Sequence, residues 1–157
     1  MLRYKYMQDQ KRFRDLSLSD YRALAEFRFQ IRRFLHFSEQ EARTRDLEPA
    51  QHQLLLAIKG MPEGVRPTMR QLAARLCIQH HSAVELVNRL TRRGAVCRRR
   101  CQQDRREVLV DLTAAGEHLL RDLTVAHREE FAAAGPMLAR ALETLMRRRK
   151  LTVRRSA

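Results

Sequence analysis

Eight arginines stand between Arg89 and Arg106 near the middle of the chain, and Asp104 is the only acid among these 18 residues. Guanidinium groups match phosphate oxygens and guanine edges, so a dense group of arginines is suited to contact with nucleic acid. Eight arginines less one aspartate give +7, half of the net charge of +14. We therefore expect a polyanion partner, most simply nucleic acid. An anionic membrane surface fits less well, because the segment has no Trp.

A helix–turn–helix pattern leads into this arginine-rich segment. Thr68 followed by Gln71 matches a capping box, which predicts a short helix. A turn near 77–79 leads into a second helix over about 80–93, and Gly94 is expected to end it. In such motifs the second helix enters the major groove and its early residues meet base edges. The candidate recognition residues are Gln79, His80, His81, Ser82, Glu85, Arg89 and Arg92.

The hydrophobic period then changes from helical to alternating, which predicts two strands over 96–101 and 107–112 joined by a polar loop. A hairpin after a helix–turn–helix is a wing, and an arginine at its tip is suited to a narrow minor groove. The run of arginines on the first strand is suited to phosphate. The candidate wing residues are Arg98, Arg99, Arg100, Asp104, Arg105 and Arg106.

Long amphipathic helices flank this centre, and the fold class is mainly α with a small β-hairpin. One helix is predicted over about 18–44, a second begins at Pro49, and Thr113 caps a third that the Gly135-Pro136 pair ends before a last helix over 136–149. The apolar stripes of the terminal helices exceed what a small winged helix covers, which predicts a homodimer. The residues expected to need a partner surface are Leu119, Leu123 and Leu142.

The sequence resembles the MarR family of bacterial transcription regulators over about residues 18–149. The most specific part is the wing pair of Asp104 and Arg106 with the L-T-x-x-G that follows it. Two residues depart from the family pattern: Glu48 replaces the usual Ser or Thr before the helix, and Ala95 replaces a larger aliphatic residue. The segments that carry the resemblance are 47–58, 69–99 and 104–117.

The resemblance implies a homodimer whose terminal helices form a dimerisation lobe and whose central winged helix binds pseudo-palindromic double-stranded DNA. It also implies release of DNA when a small aromatic or phenolic effector fills a cleft between lobes, with Phe34, His36 and His52 as candidate ligand contacts. The expected organisation is a basic tail (1–16), a single MarR-like domain (17–149) and a second basic tail (150–157). Within the domain, the dimerisation helices are about 17–45 and 114–149 and the winged helix–turn–helix is about 49–113.

Other classes of function are weighed against this interpretation. There is no phosphate-binding glycine loop and no nucleophile elbow, so we expect no enzyme and no cofactor. The histidines lack zinc-ligand spacing, although His36 with His118 or His127 would offer a metal sensor a site across the fold. A nucleic-acid-binding protein without sequence preference, architectural or RNA-binding, is an alternative, but the arginine-rich segment has no aromatic stacking residues.

Cysteine chemistry gives a further alternative, a redox-responsive regulator that uses Cys97 or Cys101. Neighbouring arginines favour a thiolate, but two cysteines four apart on one strand are separated by roughly 13 Å, beyond disulfide reach. Three cysteines, no apolar leader and no apolar run of membrane-spanning length predict a cytoplasmic protein.

Overall fold

The computed structural model describes residues 16–101 and 107–154, with side chains described as far as residue 147. The mainly helical fold with one small hairpin agrees with the sequence-based prediction. The elements in chain order are α1 (Leu18–Arg43), α2 (Pro49–Lys59), α3 (Met69–Leu76), α4 (His80–Arg92), β1 (Val96–Arg100), β2 (Val108–Leu112) and α5 (Ala114–Arg154).

Local capping sets the beginnings of the two helices before the recognition helix. The Thr68 hydroxyl accepts a hydrogen bond from the Gln71 amide at 3.3 Å, as the capping pattern predicted. At α2 the Glu48 amide donates to Gln51 Oε1 at 3.0 Å, with Pro49 in the first turn. The departure at Glu48 therefore leaves the start of α2 intact.

The end of α4 is set by Gly94, whose φ of +74° is a left-handed conformation that glycine adopts without strain. The amide of Ala95 donates back to the Leu90 carbonyl at 2.9 Å, which closes the helix. The predicted stop at Gly94 is therefore confirmed. The chain leaves α4 in the direction of β1.

The two strands form an antiparallel hairpin in which Val96 faces Leu112 and Arg100 faces Val108. Beyond β1, the Cys101 amide donates to the Glu107 carbonyl at 2.9 Å, so pairing continues one residue further. On the other edge, the Val110 amide donates to the Pro67 carbonyl at 3.0 Å. The segment before α3 thereby fixes the position of β2.

A close contact joins the base of the hairpin to the start of α5. Thr113 caps α5 by accepting from the Gly116 amide at 3.1 Å, and its hydroxyl donates to the Gly94 carbonyl at 2.6 Å. A Cβ on Gly116 would lie 2.0 Å from the Ala95 carbonyl oxygen. Thr113 and Gly116 of the L-T-x-x-G motif are therefore packing residues, because only glycine allows this approach.

The predicted break at Gly135-Pro136 is wrong. α5 continues through both residues and extends to Arg154, into the segment expected to be a basic tail. A proline inside a helix removes one backbone hydrogen bond. Here Phe131 before it stacks on Phe34 and Ala141 after it is buried, so tertiary packing outweighs the local break.

The chain divides into two compact units: the terminal-helix unit, residues 1–37 with 129–157, and the winged-helix unit, residues 38–128. The winged-helix unit contains a single continuous cluster of buried apolar side chains. Four elements from α2 to β2 contribute its most buried members, Leu54, Leu55, Leu72, Val87, Leu90 and Val110. This unit therefore holds its functional surface on a rigid core.

The expectation that Leu119 and Leu123 require a partner surface is wrong. Leu123 is fully buried in the winged-helix core of its own chain, and Leu119 packs against that core. Leu142 is exposed, as expected. In the terminal-helix unit the large apolar side chains are mostly exposed: Leu18, Tyr21, Leu24, Phe29, Leu35, Phe131, Met137, Leu142 and Met146.

Candidate nucleic-acid interface

The recognition helix α4 has an exposed polar face and, opposite to it, a buried apolar face. Ala83, Val87 and Leu90 face the core and are fully buried. The side chains predicted to meet bases at the start of α4 are exposed, except Ser82, which is half-buried. Within the described part of the chain, the side chains of Gln79, His80, His81, Ser82 and Glu85 form no hydrogen bond or ion pair. These groups are thus available to a ligand.

The second half of α4 is attached on one side to the connection between α1 and α2. Arg89 Nη1 pairs with Glu48 Oε2 at 3.0 Å. Arg93, one turn later, donates to the Arg45 carbonyl at 2.8 Å and to the Asp46 carbonyl. Sequence reasoning missed these partners, because the connection is 41 or more residues away from α4 along the chain. Arg93 therefore has a structural role in holding the helix.

The other side of α4 is attached to the wing. Arg98 on β1 donates to Asn88 Oδ1 on α4 at 2.7 Å. This hydrogen bond fixes the first strand of the wing against the recognition helix. Candidate DNA contacts from the two elements therefore form one surface.

The wing arginines differ in their partners. Arg99 pairs with Asp111, the residue opposite Cys97 on β2. Arg100 is exposed and has no ion pair among the described residues. Asp104, Arg105 and Arg106, predicted for the tip, lie outside the described residues. Among the described wing arginines, Arg98 therefore has a neutral partner, Arg99 has an anionic partner, and Arg100 has neither.

Arg66, which the sequence analysis did not single out, holds both ends of the loop that carries the wing tip. Its Nη1 donates to Cys101 Sγ at 3.0 Å and its Nη2 pairs with Glu107 Oε2 at 2.9 Å. Cys101 is buried, whereas Cys77 and Cys97 are exposed. Cys77 and Cys97 are free thiols.

The candidate effector contacts are divided between the two units. In the winged-helix unit, His52 is buried and its ring centroid lies 4.9 Å from that of His127. His127 in turn contacts the Leu123 carbonyl at 2.6 Å and the Ser38 hydroxyl at 2.8 Å. Burial, together with the nearby His127 and Arg45, lowers the pKa of His52 to about 4, so the ring is neutral at physiological pH.

In the terminal-helix unit, Phe34 stacks on Phe131 at a centroid distance of 4.5 Å, and His36 is exposed. Phe34 lines a pocket of about 10 Å³ together with Gln30, Arg33, Glu130 and Leu138. That volume admits about one water molecule, so the pocket as it stands is too small for an organic effector.

The described residues also bear on other classes of function. They contain no group of three or more His, Cys, Asp or Glu side chains that could bind a metal ion, so His36 with His118 or His127 forms no such cluster. None of the helices described is both long and apolar enough to cross a membrane.

The central part of the chain is similar to a known protein family. The model of the MarR family matches residues 45–107, which span the connection before α2 through to the wing. Among curated proteins, no sequence matches the chain.

Solved structures share the fold. The MarR family regulator AbsC of Streptomyces coelicolor is 21% identical with a TM-score of 0.64, over 76% of this chain and 80% of that one. The F27L mutant of S. aureus MepR, solved bound to an oligodeoxyribonucleotide, is 20% identical with a TM-score of 0.58, over 83% of this chain and 94% of that one. CouR of Rhodococcus jostii RHA1, bound to p-coumaroyl-CoA, is 25% identical with a TM-score of 0.56, over 64% and 68%.

Proposed function

Because residues 45–107 match the model of the MarR family and solved MarR regulators share the fold, we propose that this chain is a regulator of that family, which binds double-stranded DNA sequence-specifically and regulates transcription. The observation that carries the proposal is the surface formed by α4 and β1. Unpartnered polar side chains begin the helix there, and exposed arginines lie beside them on the strand. This combination supplies both requirements of an operator-binding protein, base readout and phosphate attraction.

The proposed division of labour follows the chemistry of each side chain. Gln79 is suited to adenine, His81 and Ser82 to bases or phosphates, and Arg89 to guanine. Arg100 and the neighbouring wing arginines contact phosphate, and Arg105 or Arg106 enters the minor groove. The structure of the MepR mutant with an oligodeoxyribonucleotide supports a DNA-binding use of this fold.

The protein acts as a homodimer on a pseudo-palindromic operator. Exposed Leu24, Leu35, Leu142 and Met146 in the terminal-helix unit support this, because apolar surface of this extent favours a second copy over solvent. A two-fold dimer would place its recognition helices roughly 34 Å apart, one turn of DNA.

Repression by steric occupation of the operator, relieved by a small aromatic or phenolic effector, is the proposed regulation. His52 supports an effector contact, since its Nδ1 is buried with no hydrogen-bond partner among the described residues. CouR, solved bound to p-coumaroyl-CoA, which carries a phenolic group, supports a ligand of this chemistry on a similar fold. An effector changes operator occupancy only by binding one arrangement of the protein better than the other.

Selection of bound duplexes from a random DNA pool at near-physiological salt tests the proposal. We expect an enriched inverted repeat with half-sites about one turn apart. Retention of DNA without any enriched sequence would contradict it, and would favour an architectural or RNA-binding protein that contacts the backbone alone.

A single substitution then tests the wing. Arg106→Ala should weaken operator binding by at least about 1 kcal/mol without lowering the melting temperature. Unchanged operator affinity would show that the wing tip does not contribute to DNA binding.

A further inference from the structure

We propose that Glu48 determines the DNA sequence specificity of this protein by positioning Arg89. Glu48 lies just before α2, and its carboxylate pairs with the Arg89 guanidinium on the recognition helix at 3.0 Å. The inference rests on the proposed function, since it concerns how the same surface discriminates between DNA sequences.

The local structure leaves the Glu48 carboxylate in place for this role. The hydrogen bond to Gln51 Oε1 comes from the backbone amide of Glu48, and it does not involve the Glu48 carboxylate. Glu48 is the residue before the first turn of α2, so its carboxylate lies near the positive end of the helix dipole. A change from carboxylate to amide at this position therefore keeps the amide–Gln51 hydrogen bond and removes the charge.

The ion pair with Glu48 restrains Arg89 but leaves some of its N–H donors without a hydrogen bond to Glu48. A guanidinium has five N–H donors in a fixed fork, and Glu48 engages Nη1, which leaves donors for a base edge or a phosphate. The next arginine on this side, Arg93, is bound to the carbonyls of Arg45 and Asp46, so α4 itself is held against the 45–48 connection. A donor held in one orientation loses less entropy on binding its acceptor.

The same carboxylate carries a cost for every DNA sequence. A negative charge beside the DNA-binding surface weakens attraction to phosphates, whatever the bases are. An operator with a hydrogen-bond acceptor opposite the restrained Arg89 gains a contact that offsets this loss of binding free energy, and other sequences do not. Glu48 thus lowers affinity for all DNA and raises the difference between correct and incorrect sites.

The test compares Glu48→Gln with wild type on the selected operator and on a scrambled duplex. We expect tighter binding to the scrambled duplex and an operator-to-scrambled affinity ratio that falls about threefold, the size of effect typical of one exposed ion pair. Glu39→Gln is the matched control, because Glu39 pairs with Arg43 on its own helix and loses the same charge. It should leave the ratio unchanged.

A double-mutant cycle isolates the role of Arg89. In an Arg89→Ala background, Glu48→Gln should no longer change the ratio. The proposal is overturned if Glu48→Gln changes both affinities by the same factor, or if the ratio still falls without Arg89. Melting temperatures of all variants identify any loss of folding.

Failure of the proposed function is a separate result. In that case wild type itself would bind operator and scrambled DNA equally, and the specificity role of Glu48 would fall with it. A wild-type preference that Glu48→Gln leaves intact would overturn the role of Glu48 alone.

Discussion

The two units of this protein distribute their apolar side chains in opposite ways. In the winged-helix unit, Leu54, Leu72, Leu90 and Val110 have no exposed surface. In the terminal-helix unit, large apolar residues such as Tyr21 and Met146 are more than half exposed, and the buried positions are Ala23, Gln30 and Ala141. One unit encloses an apolar core, whereas the other has apolar faces that its described residues leave exposed.

This difference indicates which part of the molecule depends on a partner. A closed core stabilises the DNA-binding surface within one chain. Uncovered apolar faces on long helices favour association, because exposure of a large apolar patch to water is unfavourable. Substitutions in the terminal-helix unit should therefore affect mainly assembly, and substitutions in the winged-helix unit should affect mainly folding.

The largest effect is expected on assembly. Leu142→Glu places a carboxylate on the exposed face of the terminal-helix unit. In the proposed homodimer, two-fold symmetry would bring two of these carboxylates into one interface. We expect a loss of roughly 4 kcal/mol in dimerisation free energy, from lost apolar burial and unpaired charge. Sedimentation equilibrium should show a monomer at concentrations where wild type is dimeric.

Leu56→Glu is the matched control for assembly. Leu56 is as exposed as Leu142, at 45% against 43%, but belongs to the winged-helix unit. It should keep the wild-type oligomeric state. A dimer that survives Leu142→Glu, or that Leu56→Glu disrupts equally, would remove the distinction between the units.

The next effect is on the core junction of the winged-helix unit. A Cβ on Gly116 would lie 2.0 Å from the Ala95 carbonyl oxygen, so Gly116→Val forces the base of the hairpin away from α5. We expect the free energy of unfolding to fall by about 3 kcal/mol, measured by urea denaturation.

Gly135→Ala in the terminal-helix unit should have a much smaller effect. Apart from its chain neighbours, its Cβ would meet the Phe131 ring at 4.0 Å, an ordinary contact. Alanine is the better helix former, but Pro136 disfavours a helical residue with a Cβ before it, so we expect a change of less than about 1 kcal/mol. Equal losses for both glycine variants would show that the Gly116 contact is not special.

Acid should weaken the winged-helix unit through His52. Burial, then His127 and Arg45, lowers the pKa of His52 to about 4 from 6.5. Between these two values the unfolded chain binds the proton and the folded chain does not, so the free energy of unfolding falls as the pH falls from 6.5 towards 4. We expect a loss of roughly 2 kcal/mol across this window.

Urea denaturation at both ends of the window measures this dependence. His52→Gln should remove it, whereas the variant of an exposed histidine, His36→Gln, should keep it. The same acid sensitivity in His52→Gln and wild type would contradict a buried neutral His52.

The smallest effect separates two adjacent arginines of the wing. Arg100 has no ion pair among the described residues, whereas Arg99 pairs with Asp111. Arg100→Ala should weaken binding to all duplexes and lower the slope of log affinity against log salt by about 1. Arg99→Ala should change the slope less. Equal slopes for the two variants would show that the Asp111 pair does not restrain Arg99.

Much of the fold followed from local signals. Thr68 and Thr113 as caps, Gly94 as a stop and Pro49 as a start each act through backbone groups within four residues. The hairpin followed from alternation of apolar residues. The break at Gly135-Pro136 was wrong because it rested on a local signal, whereas Phe131 and Ala141 on either side of the pair are held in α5 by tertiary packing.

The candidate site was predicted less completely. The exposure of the residues at the start of α4 could be predicted from the helical period. The apolar residues on the opposite face of the helix recur every three or four positions, which leaves the polar ones facing outward. The roles of Glu48, Asn88 and Arg66 did not follow, because each depends on a contact with a residue on another element. The burial of Leu123 in its own core was missed for the same reason.

By itself, the sequence determined the positive charge, the order of helices and strands, and the residue types available at the recognition helix and wing. Those properties are set by composition and by interactions between near neighbours in the chain. Only the tertiary structure decided which arginines are free and which are held, because ion pairs such as Glu48 with Arg89 join residues 41 positions apart. It also decided that the apolar side chains of the winged-helix unit form a core whereas many of those in the terminal-helix unit remain exposed, since burial depends on all neighbours in space.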